Sequence, residues 1–176
     1  MKLLINEFIK DYKKKTTWLY FLLSFGIILL NSYFTKRQFE DGIDAVKILS
    51  GITVVSAALA MVFSLIMLAN NLSQEYSKGT IKFLYTRPKS RSAILTAKIV
   101  LAFINYIIFL VVGTVFDFVT KYYVFFDKKV GLNHLNDTIE EGYFGRTVAR
   151  QLIITNLSDL AVYIFFVAMV VLVCVF

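Results

Sequence analysis

The stretch ILSGITVVSAALAMVFSLIMLA, residues 48–69, contains no charged residue in 22 positions. A helix of that length extends about 33 Å, which is enough to cross the roughly 30 Å hydrocarbon core of a bilayer. Three further charge-free runs accompany it: Trp18–Phe34, Ile99–Phe116 and Leu160–Phe176. All four runs are apolar on every face, unlike the alternating strands of a membrane barrel. The sequence therefore predicts an all-α, polytopic membrane helix bundle.

The overall composition supports the same class. Hydrophobic residues make up 58% of the 176 residues, and the mean hydropathy is +0.69. Soluble domains contain about 45–50% apolar residues. Four long apolar helices would leave a soluble domain of this size with too little polar surface. A soluble fold is therefore excluded.

The distribution of the net charge of +7 predicts the orientation of the chain. Five lysines lie in Met1–Thr16, and six basic residues lie in Asn70–Lys98. The other two connections mix basic with acidic residues. The positive-inside rule places the N-terminus and the 70–92 loop in the cytoplasm, in a chain inserted in the cell membrane. Because the basic residues cluster beside predicted membrane boundaries, we expect contact with lipid and no nucleic-acid partner.

Two regions follow from these patterns. Residues 1–16 are predicted to form an amphipathic interfacial helix, with Leu4, Phe8 and Tyr12 on its apolar face. The alternative is a helix that is solvated in the cytoplasm. Residues 17–176 form the transmembrane domain, with spans at about 17–34, 48–69, 93–119 and 157–176, a cytoplasmic loop at 70–92 and an outer loop at 120–156.

Small and acidic residues within the spans suggest specific contacts. Ser56, Ala60 and Ser64 repeat every four residues, a pattern that lets another helix approach closely, either within the chain or from a second copy. Asp117 and Asp159 fall at the outer ends of the predicted third and fourth spans. We expect both carboxylates at the membrane interface, the alternative being a polar contact to cargo or to a neighbouring helix.

The most specific segment follows the second span. Gly79 permits a turn, Thr80 can cap a new helix, Pro88 stops that helix, and Ser90 can cap the third span. The short helix would carry a small apolar face made of Ile81, Leu84 and Tyr85. Its end is basic. Such a surface is suited to a groove on another protein.

This segment resembles the ABC-2 type exporter permeases, specifically the small separate subunits of lantibiotic, bacitracin and amphipathic-peptide exporters. The residues that carry the resemblance are Glu75, Gly79, Thr80, Leu84, Pro88, Ser90, Arg91 and Lys98. The resemblance implies that the loop is a coupling helix that docks on a partner ATPase. The residues then expected at that docking surface are Glu75, Gly79, Thr80, Ile81, Leu84, Tyr85, Arg87, Pro88, Ser90, Arg91 and Lys98.

The resemblance also implies the partners. A separate ABC ATPase subunit would bind and hydrolyse ATP, and a second permease copy or a homologous permease would complete the pathway. The chain itself would bind no cofactor, and it contains no G-x-x-x-x-G-K-[ST] motif. The family usually has six spans, whereas this chain stops inside its predicted fourth span at Phe176, which predicts a truncated reading frame or a fragment.

Other function classes have weaker support. No G-x-S-x-G or H-E-x-x-H motif occurs, and the single histidine, His134, lacks metal-site spacing, so we predict a protein that is not an enzyme. A membrane-embedded enzyme would need polar residues at mid-bilayer, where the predicted spans offer mainly Ser24, Ser56 and Asn105. The alternative outside transport is a membrane immunity or sensor protein that binds a peptide or protein partner. For an exporter, the resemblance leans toward amphipathic or antimicrobial peptides as cargo.

Overall fold

The computed structural model describes residues 2–38, 45–77, 91–125, 130–139 and 146–175, and these ranges contain six α-helices. The helices are α1 (Lys2–Tyr12), α2 (Lys15–Gln38), α3 (Ala45–Ser50), α4 (Ile52–Ser77), α5 (Arg91–Val124) and α6 (Val148–Val175). A short 3-10 helix, Leu132–Asn136, lies between α5 and α6. In the described ranges, the β-structure consists of one isolated bridge between Thr138 and Thr147. The predicted all-α bundle is confirmed.

Four segments of the bundle are long and apolar enough to cross a membrane. They are Lys15–Gln38, Ala45–Gln74, Ile94–Val124 and Val148–Cys174. The second segment joins α3 and α4 across a turn at Gly51. With 24 to 31 residues, each exceeds the length of about 20 residues that a bilayer core requires. The chain is therefore a multi-pass membrane protein.

The helices at two span ends extend further than the charge-free runs indicate. Residues 120–124 continue α5, and residues 148–156 form the first turns of α6, although both were predicted to belong to the outer loop. The physical reason is that a backbone inside or near lipid must satisfy its own hydrogen bonds, so a helix does not end merely because a polar side chain occurs. As a result, Asp159 is the twelfth residue of α6 and not a residue at its end. Asp159 therefore lies within its helix, about three turns from the first residue, whereas the charge-free run predicted it at the outer end of the fourth span.

The interior of the bundle is built around α4. It packs against α5 and α6, while α2 packs mainly against α5. Ser56, Ala60 and Ser64 are all buried. A Cβ atom added at Gly113 of α5 would lie 3.1 Å from the Cβ atom of Ser56, so the two helices meet closely here. The small residues of α4 therefore serve packing within the chain.

Asp117 lies inside the bundle and not at a water-facing helix end. Its side chain is fully buried, and its Oδ2 atom accepts a hydrogen bond of 3.1 Å from Nζ of Lys121. The same Nζ also donates to the carbonyl oxygen of Gly51 at 3.1 Å, at the turn between α3 and α4. The Asp117 carboxylate is therefore shielded from headgroup water, which the interface prediction had expected it to reach, and the lysine one turn further along α5 supplies the counter-charge that water would otherwise supply.

Helix α1 packs against one end of the bundle, which we call the α1 end. The other end carries α3 and the 3-10 helix, and we call it the α3 end. The rings of Phe8 and Tyr12 stack at a centroid distance of 4.5 Å and are partly buried, whereas Ile5 and Ile9 are exposed. The apolar stripe predicted for α1 is therefore divided. One part faces the protein, and the other part is exposed.

Candidate functional site

The predicted docking segment connects α4 to α5 at the α1 end. Glu75 lies in the last turn of α4, and Arg91 is the first residue of α5. The remaining predicted residues of the loop, Gly79, Thr80, Ile81, Leu84, Tyr85, Arg87, Pro88 and Ser90, lie outside the described residues. What the structure describes is the base of this loop, where both flanking helices meet α1.

Lys98 joins the two helices that flank the loop. It is the predicted docking residue whose side chain the structure describes, and only 2% of it is exposed. Its Nζ atom donates a hydrogen bond of 2.7 Å to the backbone carbonyl oxygen of Asn71 in α4. A bond to a charged donor is stronger than one between neutral groups. Lys98 therefore fixes α5 to α4 and is not positioned on an exposed docking face.

The side chain of Asn71 extends this contact to α1. Its Nδ2 atom donates to Oδ2 of Asp11 at 2.7 Å, and its Oδ1 atom accepts from Nζ of Lys14 at 2.6 Å. Lys14 and Asp11 also form an ion pair at 3.0 Å. The three side chains thus close a triangle of hydrogen bonds. We call Asp11, Lys14, Asn71 and Lys98 the polar junction.

The backbone at the corner between α1 and α2 is held by the same residues. Thr17 Oγ1 donates to the carbonyl oxygen of Asp11 at 2.6 Å, and the backbone N–H of Lys14 donates to that oxygen at 3.2 Å. Trp18 Nε1 donates to the carbonyl oxygen of Tyr12 at 3.2 Å. These bonds satisfy carbonyl groups that the end of α1 leaves without helical partners. The corner is therefore fixed before α2 enters the membrane.

Asp11 and Asn71 of the junction are buried, which makes the contact between them costly to break. Asp11 is 1% exposed and Asn71 is 7% exposed. Burial raises the pKa of the neighbouring Tyr12 to about 12, and the negative charge of Asp11 adds to that rise. The Tyr12 phenol therefore stays protonated at neutral pH. A cavity of about 130 Å³ lies beside the junction and is large enough for a few water molecules.

Sequence reasoning predicted Lys98 but missed Asp11, Lys14 and Asn71. One signal was present in the sequence. Asp11 lies three residues after Phe8, so it occupies the apolar face of α1, where an acidic residue needs a partner. The partner, Asn71, is distant in sequence and carries no charge, so no pattern along the chain identifies it.

The described residues show no metal site. They contain no group of three or more His, Cys, Asp or Glu side chains placed to hold an ion. His134 Nδ1 lies 2.6 Å from Oδ2 of Asp137 in the segment between α5 and α6. Cys174 has a free thiol.

Comparison with known proteins gives one result. A family model described as "ABC-2 family transporter protein" matches residues 3–176. Searches of curated proteins and of solved structures returned no match.

Proposed function

Because this chain belongs to the ABC-2 transporter family, we propose that it is the membrane-spanning permease subunit of an ATP-driven exporter. ATP is bound and hydrolysed by a separate ABC ATPase subunit. The chain sits in the cell membrane with its N-terminus in the cytoplasm, and a second permease copy or a homologous permease completes the pathway. The basic residues of Met1–Thr16 and of Asn70–Lys98 support this orientation.

The loop between α4 and α5 acts as the coupling helix in this proposal. Ile81, Leu84 and Tyr85 supply its apolar contact, and Arg87 and Arg91 supply its basic end. Lys98 and Glu75 lie at its base. The ATPase grips this loop and moves it when ATP is bound and released.

The polar junction is the observation that carries this proposal. The hydrogen bond from Lys98 to Asn71 joins the two helices on either side of the loop, and the bonds from Asn71 to Asp11 and Lys14 join them to α1. A displacement of the loop would therefore move α4, α5 and α1 together.

The test is coexpression with the ABC ATPases of the organism that encodes this chain, followed by affinity purification in lipid nanodiscs. We expect one ATPase to copurify with the wild-type chain, and Leu84→Asp to abolish copurification while insertion in the membrane is unchanged. The matched control is Leu132→Asp, the same change at a leucine that is 65% exposed at the α3 end. It should leave copurification intact.

Two results would contradict the proposal. One is copurification that is equal for Leu84→Asp and wild type. The other is a stable chain that captures a peptide or protein partner and no ATPase, which would favour an immunity or sensor role. Gly79→Pro adds a functional readout, because it should uncouple ATP hydrolysis from export without removing the ATPase.

A further inference from the structure

Asp159 of α6 lies near the middle of the membrane-spanning part of the bundle. The position of α6 along the bundle axis can be read from Tyr163. Its ring stacks on Tyr106 of α5 at a centroid distance of 4.3 Å, and its hydroxyl donates to the carbonyl oxygen of Ala102 at 2.9 Å. Asp159 is one turn, about 6 Å, closer to the α3 end. It is therefore level with residues just beyond Tyr106, near the centre of the charge-free run Ile99–Phe116.

This carboxylate has no partner among the described residues. It forms no hydrogen bond and no ion pair there. Arg150, the nearest cation along α6, is nine residues away, which is about 14 Å along the helix axis. Lys121 is already bound to Asp117. An ionisable side chain at this depth normally faces a partner or a water-filled cavity.

A second polar group without a partner lies near the same level. The Tyr106 side chain is 1% exposed, its hydroxyl has no hydrogen-bond partner among the described residues, and its ring stacks on Tyr163, one helical turn from Asp159. A buried phenol without a partner is unusual in a folded protein. Tyr106 and Asp159 are therefore two polar groups without a hydrogen-bond partner on neighbouring helices, and of the two Asp159 is the one that is partly exposed.

A line of polar residues connects this position with the α3 end. Gln151, Thr155, Asn156 and Asp159 all lie on the partly buried face of α6. Gln151 Oε1 and Asn156 Oδ1 have no hydrogen-bond partner among the described residues. Beyond Asp159 the same face continues with Tyr163 and Val167, which are buried in the core. The polar line thus begins at the α3 end and stops at mid-membrane.

We propose that Asp159 binds a positively charged group of the exported molecule, at the inner end of the polar line on α6. The inference rests on the proposed exporter function and specifies its cargo class: amphipathic molecules that carry a cation. An anionic or uncharged cargo would leave the carboxylate unpaired.

The test measures binding of two ions that match in size and differ in the sign of their charge. Tetraphenylphosphonium and tetraphenylborate are added to the chain in lipid nanodiscs, and binding to empty nanodiscs is subtracted. We expect the wild-type chain to bind the cation in preference to the anion. Asp159→Asn should weaken cation binding about tenfold, since it removes a contact between opposite charges, while Asp159→Glu should retain it.

The matched control is Asp137→Asn, because the Asp137 side chain is 48% exposed outside the spans. It should bind tetraphenylphosphonium like the wild type. Equal cation binding by Asp159→Asn and wild type would overturn the proposal, as would wild-type binding no greater than that of empty nanodiscs. These measurements need no ATPase. Cation binding without a copurifying ATPase would refute only the exporter, and a copurifying ATPase with unaltered binding by Asp159→Asn would refute only the cation site.

Discussion

Replacing Asp11 by alanine should release α1 from the bundle. The substitution removes the acceptor of the 2.7 Å bond from Asn71 and the partner of Lys14 at 3.0 Å. A buried amide left without its acceptor costs about 1–3 kcal/mol. The lost ion pair adds about 1 kcal/mol, a value near that of surface pairs because 28% of the Lys14 side chain is exposed. The total is about 3 kcal/mol, or roughly 100-fold in the equilibrium for release of α1.

Hydrogen–deuterium exchange of the α1 amides in nanodiscs measures this release. An isolated helix of 11 residues is marginal in water, so α1 exchanges once it leaves the bundle. We expect protection of α1 in Asp11→Ala to fall by about two orders of magnitude. The matched control is Glu7→Ala in the same helix. Its contact with Lys10 is long, 3.6 Å, and the Lys10 side chain is 52% exposed, so protection should change by about twofold or less.

The outcome that would refute this reasoning is protection of α1 in Asp11→Ala within about threefold of the wild type. The contacts of the polar junction would then not stabilise the packing of α1 on the bundle. The proposed transmission from the loop to α1 would lose its basis.

Two further predictions concern the packing of the spans. Gly113→Leu should lower the free energy of unfolding of the chain in detergent by about 1–3 kcal/mol, because the new side chain would collide with Ser56. The matched control is Gly26→Leu, which should change the free energy of unfolding little, because no atom lies within 4 Å of a Cβ atom added there. Lys121→Met should lower the free energy of unfolding by about 3–5 kcal/mol, because it leaves Asp117 buried without its cation. The double variant Asp117→Asn, Lys121→Met should recover most of that loss, because it also removes the buried charge. A stable Lys121→Met chain would show that water reaches Asp117.

The fold class could be predicted from the sequence because lipid imposes a simple rule on it. A charge-free run of about 20 residues has few stable arrangements besides a membrane helix, so the helix bundle followed from Ile48–Ala69 and the three similar runs. The family could be predicted as well, and the match over residues 3–176 confirms it. The amphipathic pattern of residues 1–16 correctly predicted a helix, although α1 ends at Tyr12.

The surroundings of individual charges could not be predicted in this way. Defining each span as a charge-free run assumes that a charge marks the end of the helix, and that assumption failed at Asp117 and Asp159, because both helices continue past these residues. Asp117 is tolerated inside because Lys121 neutralises it, and α6 begins at Val148 despite the polar residues in its first turns. The polar junction was equally hidden, because the contact between Asp11 and Asn71 spans 60 residues of sequence. Such contacts depend on how helices pack, which no local pattern records.

The close approach of α4 and α5 limits where the chain can open. At one end of the pair, Lys98 donates a hydrogen bond to the backbone of α4, and at the other end Lys121 donates one to the turn just before α4. Between them, Gly113 lets the two helices pack closely. Two helices of about 39 and 51 Å that contact each other at three levels are expected to move as one rigid body and not to separate. In the proposed exporter, the pathway for the cargo therefore forms along the outer faces of this helix pair, where α2 or α6 would meet lipid or a second permease.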